Sequence, residues 1–153
     1  MRQETNIFRV KGFLILIAVL SLVLFMKTDT KKHLERILNE FKKIKEVIAI
    51  YIFGSYAKGT QTLRSDVDVC VVTEENIPED VESELGSTYS DDIDLSLLKN
   101  FPLHMKFRVF KEGKEIYVRD EQKLARIKFR VIKEYLDYEP VLAKLSSSVL
   151  ASR

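Results

Sequence analysis

The sequence predicts an α/β layered fold, and three observations carry that prediction. Segments with helical apolar spacing alternate with short runs rich in β-branched and aromatic residues. The 153-residue chain is one domain's worth, enough for a real core but not for two independent lobes. Its composition, 46% hydrophobic and 31% charged, is ordinary for a soluble globular protein. The single Cys70 rules out an internal disulfide, and its place in an apolar run reads as a buried, inert thiol.

The first element departs from that ordinary character. Phe13 to Met26 is apolar except for Ser21, with Arg9 and Lys11 before it and Lys27, Lys31 and Lys32 after it. As a helix it would span about 21 Å, short of a roughly 30 Å hydrocarbon core. No small-x-small cleavage site follows, and positive charge on both flanks gives no orientation. Three readings stand open: translation starting at Met26, a membrane anchor, or a packed N-terminal helix. Residues 1–25 are therefore set apart as a hydrophobic extension, and residues 26–150 are taken as the domain. The expected location is cytoplasmic, or membrane-anchored if the 13–26 run is retained.

After Asp29 or Thr30, either a plausible N-cap, Leu34, Ile37, Leu38, Phe41 and Ile44 recur at helical spacing. Val47 to Phe53 is β-branched and aromatic, as a buried strand requires. Gly54 breaks that strand, and Ser55 to Lys58 can begin a short helix. Asp66 to Thr73 is predicted as a second strand. The acidic stretch that follows holds a short helix near Glu79 to Leu85. In the third strand, Ile93 to Leu98, Ile93, Leu95 and Leu97 share one side while Asp92, Asp94 and Ser96 share the other. Pro102 suits a helix start, that helix ends at Gly113, and Glu115 to Val118 is a brief strand. A long helix from about Glu121 carries an apolar stripe of Leu124, Ile127, Val131 and Tyr135. Lys123, Arg126, Arg130 and Lys133 line another face, and Pro140 is expected to interrupt the helix.

The chemistry concentrates between Gly54 and Asp68. Gly54 and Ser55 are followed by ten residues and then Asp66-Val67-Asp68, with an apolar run closing on each end. Two carboxylates two residues apart on a strand point to one face, and a Gly-Ser turn leaves bare N–H groups near it. A lone Asp-x-Asp is more often an exposed strand edge, but the upstream Gly-Ser at this spacing reverses the odds. Paired anions in an apolar strand need a cation, and hard oxygen ligands favour Mg²⁺ or Mn²⁺ over zinc. A third carboxylate is expected on a neighbouring strand. Asp94 fits, and Asp92 on the same face is the competitor. Three such ligands could hold two ions about 4 Å apart across an in-line displacement. His33 and His104 have no companions at ligand spacing and read as ordinary helix residues.

These residues together resemble the DNA polymerase beta nucleotidyltransferase superfamily, and more narrowly its minimal nucleotidyltransferases. The likeness runs from about His33 to Pro140 and takes in Leu97-Leu98-Lys99-Asn100-Phe101-Pro102-Leu103 and the Tyr135-Leu136-Asp137-Tyr138-Glu139-Pro140 ending. It implies the nucleotidyltransferase fold, an α/β (α+β) arrangement of a small mixed β-sheet with helices packed mainly on one face. It implies that Gly54 and Ser55 hold the β- and γ-phosphates of ATP and that Asp66 and Asp68 bind two Mg²⁺ ions. Asp94 would complete the metal site and help deprotonate an acceptor hydroxyl. Lys58 and Arg64 lie close enough in sequence to offer charge to the triphosphate, though each reads as well as a solvated surface residue.

Length adds to the reading, because nothing after Met26 is left over for recognising an acceptor. Minimal nucleotidyltransferases of this kind resemble the antitoxin half of HEPN–MNT toxin–antitoxin pairs, in which AMP passes from ATP to a toxin tyrosine. A HEPN-family toxin is thus the expected partner. The alternatives are transfer to a small molecule or RNA end, and a non-catalytic binding antitoxin. Nucleic acid is the weaker reading, since no aromatic residues interleave with the basic ones.

Overall fold

The computed structural model describes residues 26–62, 65–87 and 92–151, with side chains as far as residue 140. The N-terminal extension and its three readings lie outside the described residues, except that Met26 is buried in the core. Among the described residues no helix is long and apolar enough to cross a membrane.

Helix α1 (Thr28–Phe41) buries Leu34, Ile37 and Phe41, the stripe its spacing predicts. Its N-cap is Lys27, and no side chain caps it. Thr30 lies inside the first turn and is nearly fully buried, so its hydroxyl serves a tertiary partner instead of the helix end. At the other end the Arg119 guanidinium donates to the carbonyls of Lys42, Ile44 and Val47. That satisfies acceptors that a helix terminus and its exit loop leave open.

Strand β1 (Val47–Phe53) is central, buried at every position but its last. It leads directly into the five-residue helix α2 (Gly54–Lys58). Then come β2 (Val67–Thr73), α3 (Glu79–Ser87), β3 (Ile93–Leu97), a 3₁₀ turn (Leu98–Asn100), α4 (Leu103–Glu112), β4 (Lys114–Val118) and α5 (Glu121–Ala151). The sheet order is β3-β2-β1-β4. β1 pairs antiparallel with both β2 and β4, whereas β2 and β3 run parallel, so the sheet is mixed as expected.

Alternation along β2 sorts the core into two layers. Val67, Val69 and Val71 face α1 and α3, in a cluster with Leu34, Ile37, Phe41 and Leu85. Cys70 and Val72 face the opposite way, with Val109 of α4 and Leu124 of α5. Both sheet faces are therefore covered, where the expectation placed the helices mainly on one. The physical reason is that β1 and β2 are buried on both sides, and an open apolar face on strands of this kind has to be capped by helices.

The second correction concerns Pro140, which does not end α5; the helix continues through it to Ala151. Proline deletes one backbone donor, and a long helix retains enough of its remaining bonds to carry on.

Candidate active site

The end of β1, the start of β2 and the start of β3 meet at one edge of the sheet. Phe53 stands opposite Asp68 across the antiparallel ladder, and Asp68 stands opposite Asp94 across the parallel one. Neighbouring strands lie about 4.8 Å apart, so Asp68 and Asp94 are adjacent and on one face. Asp66 sits two residues before Asp68, just outside the strand. Asp66 and Asp94 are exposed, while Asp68 is half-buried between them.

Gly54 explains how Asp68 fits. Its φ of 67° is a left-handed conformation that favours glycine, and it turns the chain sharply out of β1. A Cβ placed there would fall 2.0 Å from the Asp68 Oδ2. The Asp68 carboxylate thus lies against the bare Cα of the Gly-Ser turn. Ser55 follows at the start of α2, and its carbonyl accepts from the Thr60 N–H, which closes the turn.

Charge crowding marks the same place. Burial first, and then the neighbouring Asp94 and Asp66 carboxylates, lift the Asp68 carboxyl above the usual aspartate range, against a backbone hydrogen bond that lowers it. Burial, with Asp92 and Asp66 adding to it, also raises the Tyr56 phenol. Among the described residues no group of three or more Asp, Glu, His or Cys side chains is spaced to grip an ion as it stands. Asp66, Asp68 and Asp94 are gathered without forming a closed chelate.

Asp92, the competitor to Asp94, has a different neighbourhood. Its carboxylate accepts the Thr30 hydroxyl of α1 at 3.2 Å, and its carbonyl accepts the Val67 N–H at 2.9 Å. It joins α1, β2 and the entry to β3. No local pattern points to Thr30 as its partner, because the two are 62 residues apart.

Lys58 is exposed at the end of α2 and forms an ion pair at 2.9 Å with Glu112, the last residue of α4. That hydrogen bond, and the Lys58 charge, hold the Glu112 carboxyl below its usual range. Glu112 gave no signal in the sequence. Arg64 lies outside the described residues. The basic face of α5 is partly neutralised: Lys123 pairs with Glu74, Lys128 with Glu115 and Arg130 with Glu75. That weakens a reading as a nucleic-acid surface, which needs uncommitted positive charge.

Fold and site together define a small α/β domain that sets three carboxylates beside a glycine-led turn. The model of the polymerase beta nucleotidyltransferase family matches residues 35–122. A candidate protein adenylyltransferase of Methanocaldococcus jannaschii is 33% identical over 95 residues, covering 61% of this chain and 74% of that protein. The protein adenylyltransferase MntA of Shewanella oneidensis is 34% identical over 91 residues, covering 52% of this chain and 66% of MntA. Among solved structures, a toxin–antitoxin crystal structure with AMP-PNP matches with a TM-score of 0.59 at 23% identity, covering 78% of this chain and 97% of its own. A tri-AMPylated Shewanella oneidensis HEPN toxin in complex with MNT antitoxin matches at 0.55 and 19%, covering 82% and 99%. This chain belongs to the polymerase beta nucleotidyltransferase family.

Proposed function

We propose that this chain moves AMP from ATP onto a tyrosine hydroxyl of a HEPN-family toxin in a metal-dependent reaction, and so acts as an antitoxin. The observation that carries the reading is the register of Asp68 opposite Asp94, beside a glycine whose missing side chain makes room for the Asp68 carboxylate. Relatives named protein adenylyltransferases support the nucleotide, and the AMPylated HEPN toxin of a structural neighbour supports the acceptor.

The residues fit divalent ions. Their oxygens are hard donors suited to Mg²⁺ or Mn²⁺, and the mutual repulsion acting on Asp68 is what a cation would relieve. Asp66 and Asp68 would hold two ions, and Asp94 would complete the site of one. When bound, such ions supply positive charge to the phosphoryl group and to the leaving oxygen. Gly54 and Ser55 offer backbone N–H groups and a hydroxyl to the β- and γ-phosphates. Asp94 accepts the proton of the tyrosine hydroxyl, that oxygen bonds to the α-phosphorus, and the bond to the bridging oxygen breaks to release pyrophosphate. Lys58 would reach the triphosphate by exchanging Glu112 for phosphate oxygens, and Arg64 would add a second cation.

The test incubates the purified chain with the product of the neighbouring reading frame, Mg²⁺ and each of labelled ATP, GTP, CTP and UTP. The expected result is AMP on a partner tyrosine, abolished by Asp66→Ala with Asp68→Ala. No adduct from folded enzyme overturns the reading. Toxin neutralisation that survives the double substitution would instead favour an antitoxin that works by contact alone.

A further inference from the structure

The backbone holds the last turn of α4 beside the Gly-Ser turn. Lys114, the first residue of β4, pairs with Ile52 across the antiparallel ladder, so α4 ends next to the exit of β1. A Cβ on the intervening Gly113 would stand 3.3 Å from the Ile52 carbonyl oxygen, so the two segments meet closely. Gly54 follows Ile52 by two residues. On α2, Ser55 and Lys58 are spaced i, i+3 and share one side of the helix. The strand order therefore sets out a row along the edge of the sheet: Asp94 on β3, Asp68 on β2, the Gly54–Ser55 turn after β1, and the end of α4 ahead of β4.

Charge is unbalanced at the last place in that row. Lys58 Nζ lies 2.9 Å from Glu112 Oε2, and Arg108 Nε lies 3.8 Å from the same oxygen. Two cations from different helices thus converge on one carboxylate atom. Lys111 adds charge from the adjacent residue, its ammonium turned back over the Phe107 ring. The hydrogen bond from Lys58, and then the charges of Lys58, Arg108 and Lys111, act together in holding the Glu112 carboxyl low. Arg108 is exposed, and its contact with Glu112 is too long for a hydrogen bond. Among the described residues its Nη1 donates to the Met105 thioether, a weak acceptor, at 3.8 Å. A surface ion pair gains little and needs only one cation per carboxylate. Three cations around Glu112 leave positive charge over, beside the turn.

We infer that Arg108, together with Lys58, binds the terminal phosphate of the nucleoside triphosphate, and that Glu112 is an internal anion holding that place until the phosphate displaces it. This rests on the function proposed above. The row gives the order of the tail: the α-phosphate at Asp68 and Asp94, the β- and γ-phosphates at the turn, and the outer γ oxygens at the cations. A guanidinium offers parallel N–H groups to the paired oxygens of a phosphate, and one carboxylate atom shared by two cations leaves most of those donors unused. The surplus charge favours a ligand carrying more than one negative charge, as a terminal phosphate does. A nucleoside monophosphate ends short of the cluster.

The experiment measures binding of inorganic tripolyphosphate and of AMP to the full chain by calorimetry in Mg²⁺ buffer. Arg108→Gln should weaken tripolyphosphate about tenfold, with AMP affinity and melting temperature unchanged. Glu112→Gln should tighten it about threefold, and Arg108→Lys should recover part of the loss. The loss from Arg108→Gln should persist in the Glu112→Gln background, because a residue that acts only by holding Glu112 would lose its effect there. Tripolyphosphate affinity within twofold for Arg108→Gln, an equal loss for AMP, a loss that vanishes with Glu112→Gln, or no tripolyphosphate binding by the unaltered chain each overturns the inference. Tripolyphosphate binding that depends on Arg108 in a chain that transfers no nucleotide supports this site while overturning the transfer reading. Transfer with a KM for ATP unmoved by Arg108→Gln does the reverse.

Discussion

Two alanine substitutions separate the backbone demand of the Gly-Ser turn from its role at the carboxylates. Gly54 and Gly59 both hold left-handed angles, 67° and 71°. Alanine in that region costs about 1–2 kcal/mol, which lowers the melting temperature by roughly 3–8 °C in a chain of this size. The two sites differ in what a new methyl group meets. At Gly59 nothing lies within 4 Å, whereas at Gly54 the methyl falls 2.0 Å from Asp68 Oδ2 and 2.8 Å from its Cγ. Since ordinary contact begins at 3.4 Å, the carboxylate must retreat by about 1.4 Å. The Asp68 carboxylate is the free end of its side chain and can swing away, so the added cost falls on function more than on folding. Misplacing a catalytic group by about 1 Å costs on the order of a hundredfold in rate. Gly54→Ala should therefore lose about a hundredfold in AMP transfer, while Gly59→Ala melts equally early and transfers within about threefold of the unaltered chain. The assay is transfer measured by mass spectrometry beside thermal melts of both variants. Equal activity of the two proteins would refute the claim that the Gly54 Cα makes room for a working Asp68.

Asp94→Asn should cut transfer about a thousandfold, a several-kcal/mol loss at the transition state, with the fold intact by circular dichroism. Thr30→Val removes the hydroxyl bonded to Asp92 and should cost about 1 kcal/mol of stability while leaving kcat nearly unchanged. That contrast separates the structural aspartate from the reactive one. Because Asp68 holds its proton more tightly in the folded state than in the unfolded one, stability in metal-free buffer falls as pH rises from the ordinary aspartate value through the raised one. Asp68→Asn should thus melt higher than the unaltered chain at neutral pH, with the gap closing in acid. Glu112→Gln frees Lys58 and should lower KM for ATP about threefold, whereas Lys58→Ala raises it; an unchanged KM in both would remove Lys58 from the triphosphate site.

Local pattern made much of this molecule legible before its coordinates. The α1 stripe, the β1 run and the alternation in β3 each depend on neighbours within a few residues, so Leu34, Ile37, Phe41 and Ile93 fell where periodicity placed them. The face shared by Asp68 and Asp94 followed from the same alternation. What escaped were contacts between distant segments. Thr30 read as a cap but serves Asp92, and Lys58 read as a free cation but is tied to Glu112. The helices cover both sheet faces because burial of β1 from two sides is a property of the assembled sheet, which a strand's own letters express only weakly. The exposure of Phe129, Ile132 and Leu136 on α5 was likewise overshadowed by the helix's stripe of Leu124, Ile127, Val131 and Tyr135.

Strand β3 borders the sheet, so one of the site's carboxylates rides on a margin while its counterpart on β2 is anchored from both sides. A single ladder sets the gap between them. Breathing of that ladder would widen or narrow the cleft without disturbing the central pair of strands, giving the protein an adjustable jaw. Amide exchange along Ile93 to Leu97 should accordingly outpace exchange along Val67 to Thr73, and should slow most when substrate fills the jaw.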